Sequence, residues 1–589
     1  MPFKKLFRQE LEFLRQSGHK FAQDNPGLTH FLGENAHDPD VERLLEGTAF
    51  LTAKLGAKLE ADFPELIHSL LQMLWPNYLR PIPSMTTVHS EATQVELTKG
   101  KLIPRGTRIQ SEPVDGIPCE YRTCHDLWVW PFDLTKVDAE HSRERSVMRA
   151  QLSLTSQDLP LDALGCDALQ FHLSGDDTTA QTLYLWLAHY LEEVHLIVGE
   201  TSRRLRPDQL KFAGFDPEDA LLPYPQNVFD GYRVLQEYFV FPQRFFYFSL
   251  TGLRRLWPAH KATQFTVEFR FKRPMPVDIR ITDRDLSLHC TPAVNLFTHD
   301  AQPMDLNGRA VDQLIVPSGP RPDAYEIFSV DEVTGWARDI HGKRGRYLRT
   351  YPPFESLLHE IEHSHGRNSL YQRTRIERAY DNEGLQHRIA FVRADDADYI
   401  GENETVSLTL TCTNRDLPLS LGIGDIHLSG ESTASQLHLR NISVPTPSYR
   451  PSLDGELLWT LLSNLSLNYL SLLSVEPMKA VLRAYDFAAL HDIRRARASQ
   501  QRLNAIVGAE TAPIDRLIRG LPVRGMRTRL KLDQAGFLCE GDLFLFGTVL
   551  SHFFALYASI NSFHVLEVVN TTNNETYTWP MHTGVQPLI

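Results

Sequence analysis

Six cysteines are few for a chain of 589 residues, and they are scattered along it. Cys119, Cys124, Cys166, Cys290, Cys412 and Cys539 are too sparse for the disulfide framework of a small secreted protein. Cys119 and Cys124 lie five apart, but no second Cys or His pair follows at zinc-binding spacing, so all six read as thiols in a reducing compartment. No run approaches about 20 uninterrupted apolar residues, which argues against a membrane-spanning helix. The opening MPFKKLFRQELEFL has two lysines but neither an unbroken apolar core nor a small-residue cleavage site, so it does not read as a secretory signal. A cytoplasmic protein with no direct membrane insertion is expected. The phosphate-cradling G-x-x-x-x-G-K-[ST] loop and the G-x-S-x-G elbow are both missing. A net charge of −13 argues against a general nucleic-acid binder. Internal repeats and low-complexity tracts are missing too.

What is present is the composition of an ordinary globular protein, 42% hydrophobic and 23% charged. The length is too great for one core, and three or four domains are expected. The fold class reads as α+β and multidomain: an amino-terminal helical bundle segment, then β-rich domains, then apolar carboxy-terminal helices. The expected divisions are 1–78 (helical, a region for bundling with partners), 79–252 (β-rich), 253–380 (mixed β) and 381–589 (α+β). Phe3, Leu6, Phe7, Leu11 and Leu14 recur at helix spacing, and the first helix should end near Asn25-Pro26-Gly27. A second helix, capped at Asp38 or Asp40, carries Val41, Leu44, Leu45, Thr48 and Leu51. A third runs from about Phe63 to Trp75. Strand alternation then takes over at Thr87–Ala92, Gln264–Phe271 and Thr405–Cys412. Leu183–Leu187 and Val194–Val198 read as strands from their aromatic and β-branched content. Pro104 and Gly106 mark a turn between two strands. The segment from Leu457 to Leu472, with Trp459 and Tyr469, is apolar on nearly all sides, as a buried helix would be. Leu543–Leu550 leads into Phe553, and the whole reads as a helix.

Two stretches carry candidate chemistry. His359-Glu360-Ile361-Glu362-His363 matches H-E-x-x-H, in which two histidines on one helical turn bind Zn²⁺ and the glutamate activates water. Gly366 fits the extended form, but its third ligand position is Ser369; Glu377 or Glu383 would have to serve instead. Glu362 puts a charge where such helices need an apolar residue. A zinc hydrolase is therefore the rival reading, not the leading one. A ligand-binding β-sandwich is a third, suggested only by the strand-rich middle. The other stretch, Tyr238 to Phe248, holds seven aromatics in eleven residues, among them Tyr238, Phe239, Phe241, Phe245 and Phe246. It reads as a pair of core strands broken after Pro242, with a partner-binding surface as the alternative. The basic clusters Arg203-Arg204 and Arg494-Arg495-Ala496-Arg497 read as solvated faces, with an anionic partner as the alternative.

The stretch from Gly231 to Phe246, GYRVLQEYFVFPQRFF, resembles the central motif of the TssF (ImpG/VasA) family of type VI secretion baseplate subunits. Further stretches in the same order extend the resemblance over nearly the whole chain. They include Glu10–Leu14, Asp38–Glu46, Tyr325–Asp331, Cys412–Pro418, Pro447–Leu453, Glu456–Trp459, Leu467–Leu472, Phe544–Leu550 and Ile560–Phe563. The resemblance implies a structural role, no enzyme activity, no catalytic or metal residues and no cofactor. It implies a wedge built with a TssG-like subunit, two copies to one, so that a second TssF copy is a partner. A TssK-like adaptor, a TssE-like subunit, the VgrG spike and sheath proteins are the other implied partners. The implied place is the cytoplasmic side of the inner-membrane secretion complex, with the wedges as the platform for tube and sheath assembly. Tyr238, Phe239, Phe241, Phe245, Phe246, Trp459 and Tyr469 are the structural or interface candidates.

Overall fold

The computed structural model describes residues 75–91, 99–155, 161–225, 230–257, 262–306, 311–338, 346–354, 370–379, 384–393, 404–429, 437–453, 475–518, 520–555 and 561–584, with residues 11, 14, 40–41, 43–51, 70–72 and 558 besides. The chain divides into a smaller unit, Met1–Leu79 with Ser452–Leu465, and a larger one, Arg80–Pro451 with Ser466–Ile589.

In the smaller unit the described residues are helical at 11, 14, 40–41, 43–51 and 70–72 and form a 3-10 turn at Pro76–Tyr78. That is a short piece of helix where a bundle was expected. The remainder of the expected bundle lies outside the described residues, as does the apolar segment containing Trp459 and Tyr469. Trp75 and Tyr78 are buried with their rings 5.3 Å apart. Leu44 and Leu51, seven residues apart and so on one helix face, are 70% and 63% exposed.

The larger unit is built mainly of antiparallel sheets, and the whole is α+β. One six-stranded sheet has the order Ile426–Ser429, Arg108–Val114, Ile117–Thr123, Cys290–Val294, Met85–Glu91, His438–Asn441. Val88, Ile109, Tyr121, Ala293, Ile426 and Leu439 point from it into one core. A five-stranded sheet centres on Gln264–Phe271, flanked by Ser146–Leu154 and Leu191–Val198. In it the alternation seen in the sequence is real: Phe265, Val267, Phe269 and Phe271 are all buried. Another sheet is organised by Glu404–Thr413, whose Val406, Leu408, Leu410 and Cys412 alternate into a second core with Phe297 and Ile327. The turn expected at Pro104 and Gly106 is present, Gly106 taking φ +83. Its two strands do not pair with each other, however: Lys101–Ile103 pairs with Leu127–Val129.

The described helices of this unit are α1 (Asp177–Leu185), α2 (Asp230–Val240), α3 (Val475–Tyr485), α4 (Phe487–His491), α5 (Ile493–Asn504) and α6 (Glu540–Phe554). The last fulfils the expectation for Leu543–Leu550, and burial of Leu543 through Ser551 explains why it is apolar all round. It packs on α1 and α2, so closely that a Cβ on Gly541 would lie 2.1 Å from the Gln181 carbonyl oxygen. It also links strand Leu521–Leu532 to its parallel neighbour Phe563–Asn570, a crossover of the kind parallel strands need.

Two strand expectations fail. Leu183–Leu187 lies in α1 and the π turn Trp186–Tyr190 that follows it. Asp176 caps α1 by accepting from Thr179 N at 3.0 Å, and the buried helical contacts outweigh a strand propensity that is a weak prior. Tyr238–Val240 likewise ends α2, and a 3-10 turn follows at Pro242–Phe245. All six cysteines are free; five are buried and Cys539 is half-buried.

Candidate functional site

The aromatic motif occupies three consecutive elements: α2, the Pro242–Phe245 turn and the strand Tyr247–Thr251. Helix spacing, not strand spacing, sets its faces. Asp230, Arg233 and Glu237 follow at intervals of three and four and so share a face. On that face they form a buried charge network. The Arg233 guanidinium pairs with Asp230, its Nη2 lying 2.7 Å from Oδ2, and with Glu237 Oε2 at 3.2 Å. It also donates to the carbonyl oxygens of Phe215 at 3.2 Å and Asp216 at 3.0 Å. Arg244, from the 3-10 turn, reaches the same Glu237 carboxylate and donates to the Asp219 carbonyl at 2.8 Å. The other Glu237 oxygen accepts from Leu221 N at 3.1 Å. Arg233, Glu237 and Arg244 are each 1% exposed or less. Burial first, and then the neighbouring Arg233, push the Arg244 proton affinity down, while Asp219 raises it.

The other face of α2 is aromatic and apolar. Tyr238 packs on Phe245 and Phe546, with ring centroids 6.5 and 5.8 Å away, and Phe245 lies 4.8 Å from Phe215. Tyr238 Oη donates to Asp542 at 3.2 Å, and Arg502 of α5 closes on the same carboxylate at 3.0 Å. The Arg502 guanidinium also lies 5.4 Å over the Tyr238 ring. Burial alone would lower the proton affinity of Arg502, but Tyr238, Asp542 and Asp486 together raise it. Above this cluster opens a cleft of about 530 Å³, walled by Phe239, Asp486, Arg495 and the 444–447 segment.

The five motif aromatics are therefore together, and all are buried: Tyr238, Phe239, Phe241, Phe245 and Phe246 are between 0 and 8% exposed. Of the five, Tyr238 and Phe239, at 3% and 8%, line the cleft. The stretch is helix, turn and strand where two strands were expected. The sequence reading overlooked Arg233, Glu237 and Arg244, although the three- and four-residue charge spacing in DGYRVLQE was there to read. Arg502 and Asp542, 40 residues apart, offered no local signal. The arrangement has no nucleophile–base pair. No set of three metal-ligating side chains occurs among the described residues. His359 to His363 lie outside the described residues, as does Glu383, while Glu377 lies in the strand Leu370–Arg378. No described helix is long and apolar enough to cross a membrane.

Buried ion pairs tie this helix to the turn that follows it. The model of the type VI secretion system TssF family matches residues 2–586. The chain belongs to the TssF family. A curated TssF relative, type VI secretion system component TssF1 of Pseudomonas aeruginosa strain PAO1, is 31% identical over 99% of this chain and 98% of its own length. Among solved structures, a chain of a TssK-TssF-TssG baseplate subcomplex is similar with a TM-score of 0.75. It is 29% identical, and the match covers 92% of this chain and all of that one. A chain of a type VI baseplate complex matches over the full length of both chains at a TM-score of 0.63 and 26% identity. These TssF relatives are structural baseplate components, not enzymes, and so is this type of chain.

Proposed function

We propose that this TssF chain is a wedge subunit of a type VI secretion baseplate, built with TssG-like and TssK-like subunits. The observation that carries the reading is the likeness, at a TM-score of 0.75, to a chain held in a TssK-TssF-TssG subcomplex. The wedge holds two copies of this chain to one TssG-like subunit. It surrounds the VgrG spike, meets a TssE-like subunit and offers the platform for tube and sheath on the cytoplasmic side of the inner-membrane complex. Segment 1–78 contributes helices to a bundle with partner chains. The exposed Leu44 and Leu51 support this, since an aliphatic pair on one helix face gains by burial against another helix. Trp459 and Tyr469 belong with that partner-facing set, whereas Tyr238 and its aromatic neighbours hold the subunit together. Segments 79–252 (β-rich), 253–380 (mixed β) and 381–589 (α+β) are the remaining domains of the subunit.

Co-expression with TssG-like and TssK-like chains, followed by native mass measurement, tests the reading. A complex with two copies of this chain per TssG-like chain is expected. Purification of this chain free of both partners refutes it.

A further inference from the structure

The charges of this acidic protein are not evenly spread. Residues 493–532, covering α5 and the hairpin that follows, hold ten Arg and Lys against two Asp and Glu, a net charge of +8. The remaining 549 residues hold 50 basic and 71 acidic ones, a net charge of −21. Nine of the ten cations are arginine, the residue whose planar fork pairs with carboxylates in two-point contact.

The hairpin consists of strands Ile506–Ile518 and Leu521–Leu532, paired in register from Gly508↔Lys531 to Ile518↔Leu521. Its proximal half is held by a third strand, which pairs with it from Leu532↔Asn570 to Met526↔His564. Support ends just beyond. Gly525 lies against the Phe563 ring, and the Arg524 carbonyl accepts from Ser562 Oγ at 2.9 Å. The pairs Arg516↔Val523, Leu517↔Pro522 and Ile518↔Leu521 then continue with no third strand among the described residues, a reach of roughly 10 Å. Register assigns the faces. Leu517 and Pro522 share one face with Asp515 and Arg524; Leu521 and Val523 share the other with Arg516. Leu517 is 77% and Leu521 68% exposed, so the tip stands clear on both sides. The proximal cations are already engaged: Arg527 and Arg529 pair with Glu567, and Lys531 with Glu510. Arg516 and Arg524 make no ion pair among the described residues.

A two-stranded ribbon alone in water is marginally stable, and this one carries aliphatic side chains and an uncommitted arginine on each face. We propose that residues 514–524 form an arm that inserts into a groove of a partner protein, apolar at its floor and lined by carboxylates on both walls. Leu517 and Leu521 fill the floor, while Arg524 and Arg516 pair with one wall each. Nucleic acid fits less well, because the tip offers aliphatic groups where base stacking needs aromatic ones. An acidic protein surface satisfies both the charge and the apolar tip. The proposal rests on the reading of the chain as an assembly subunit.

Hydrogen exchange separates the two claims. The full-length chain is compared alone and in the purified complex with its co-expressed TssG-like and TssK-like subunits. Formation of that complex tests the assembly reading; slowing of amides 516–523 within it tests the arm. Exchange at the tip roughly ten-fold slower in the complex is expected. R516E/R524E and L517S/L521S are each expected to remove that slowing and weaken association by about ten-fold or more, with unchanged melting of the free chain. A complex whose tip exchanges as fast as in the free chain overturns the proposal. So does slowing that grows with the concentration of the free chain, which assigns the tip to a second copy. Slowing by a 30-mer duplex DNA or by phosphatidylglycerol vesicles, but not by the protein partners, overturns it as well.

Discussion

Replacing Glu237 by alanine should destabilise the larger unit more than any other single change in the aromatic motif. The carboxylate is 1% exposed and lies between Arg233 and Arg244, which are 1% and 0% exposed. Its removal leaves two buried guanidinium groups without their shared counter-charge and the Leu221 amide without its acceptor. Breaking a buried pair from one side typically costs about 3–5 kcal/mol, and the orphaned amide adds roughly 1–3 kcal/mol. Against a domain stability of about 5–15 kcal/mol this approaches unfolding. E237Q keeps an acceptor for Leu221 and one arginine but loses the charge, and should fall between E237A and the wild type. The informative control removes the whole network. R233M/E237L/R244M loses the ion pairs together with their desolvation cost, and should be markedly more stable than E237A. Urea denaturation of the full chain, with exchange of the α2 amides as the local readout, gives all three numbers. E237A within about 1 kcal/mol of the wild type, or a triple variant no better than E237A, would refute the view that the network is held by mutual charge compensation.

Phe246→Ala, which truncates a 2% exposed ring beside Tyr184, should cost about 3–5 kcal/mol and show as lowered melting of the free chain; unchanged melting with lost partner binding would make the stretch an interface. Gly541→Leu should destabilise by at least about 1–3 kcal/mol, since any Cβ there meets the α1 backbone, and a melting curve equal to the wild type would show that α6 can shift. Burial depresses His172, His289 and His552 to about 3 and His387 and His564 to about 4, from an ordinary 6.5. The unfolded chain therefore binds the extra protons, so this stability is complete above about pH 6.5 and is lost as pH falls towards 3–4. The slope is about 1.4 kcal/mol per pH unit for each such histidine. Melting between pH 7 and pH 4.5 checks it, with H564Q expected to flatten the dependence.

Legibility in the sequence followed how local the deciding interactions are. Gln264–Phe271 and Glu404–Thr413 were readable because each presents one face to a core, so alternation in the chain is alternation in space. Helix α6 was readable because its length and unbroken apolarity fit nothing else. Leu183–Leu187 and Tyr238–Val240 were misread because an aromatic and aliphatic run buried on all sides has no period to report. The decisive signals there were the cap at Asp176 and the charge ladder Asp230–Arg233–Glu237. Partners far apart in the chain, such as Tyr238 with Asp542 or Glu237 with Leu221, could not be read at all; they exist only once the fold brings them together.

The six-stranded sheet imposes an order in time on the making of this protein. Met85–Glu91 leaves the ribosome early, but one neighbour is Cys290–Val294 and the other is His438–Asn441. At about 5–20 residues per second, the second partner arrives roughly 20–70 seconds after the first strand. Throughout that interval the nascent chain exposes an unpaired strand edge, the feature most apt to pair with a neighbouring chain. Truncations ending before His438 should therefore collect in the insoluble fraction, and those ending beyond Asn441 should do so less. A solubility series across that boundary with no step at 438–441 would show that some other contact protects the edge until the sheet closes.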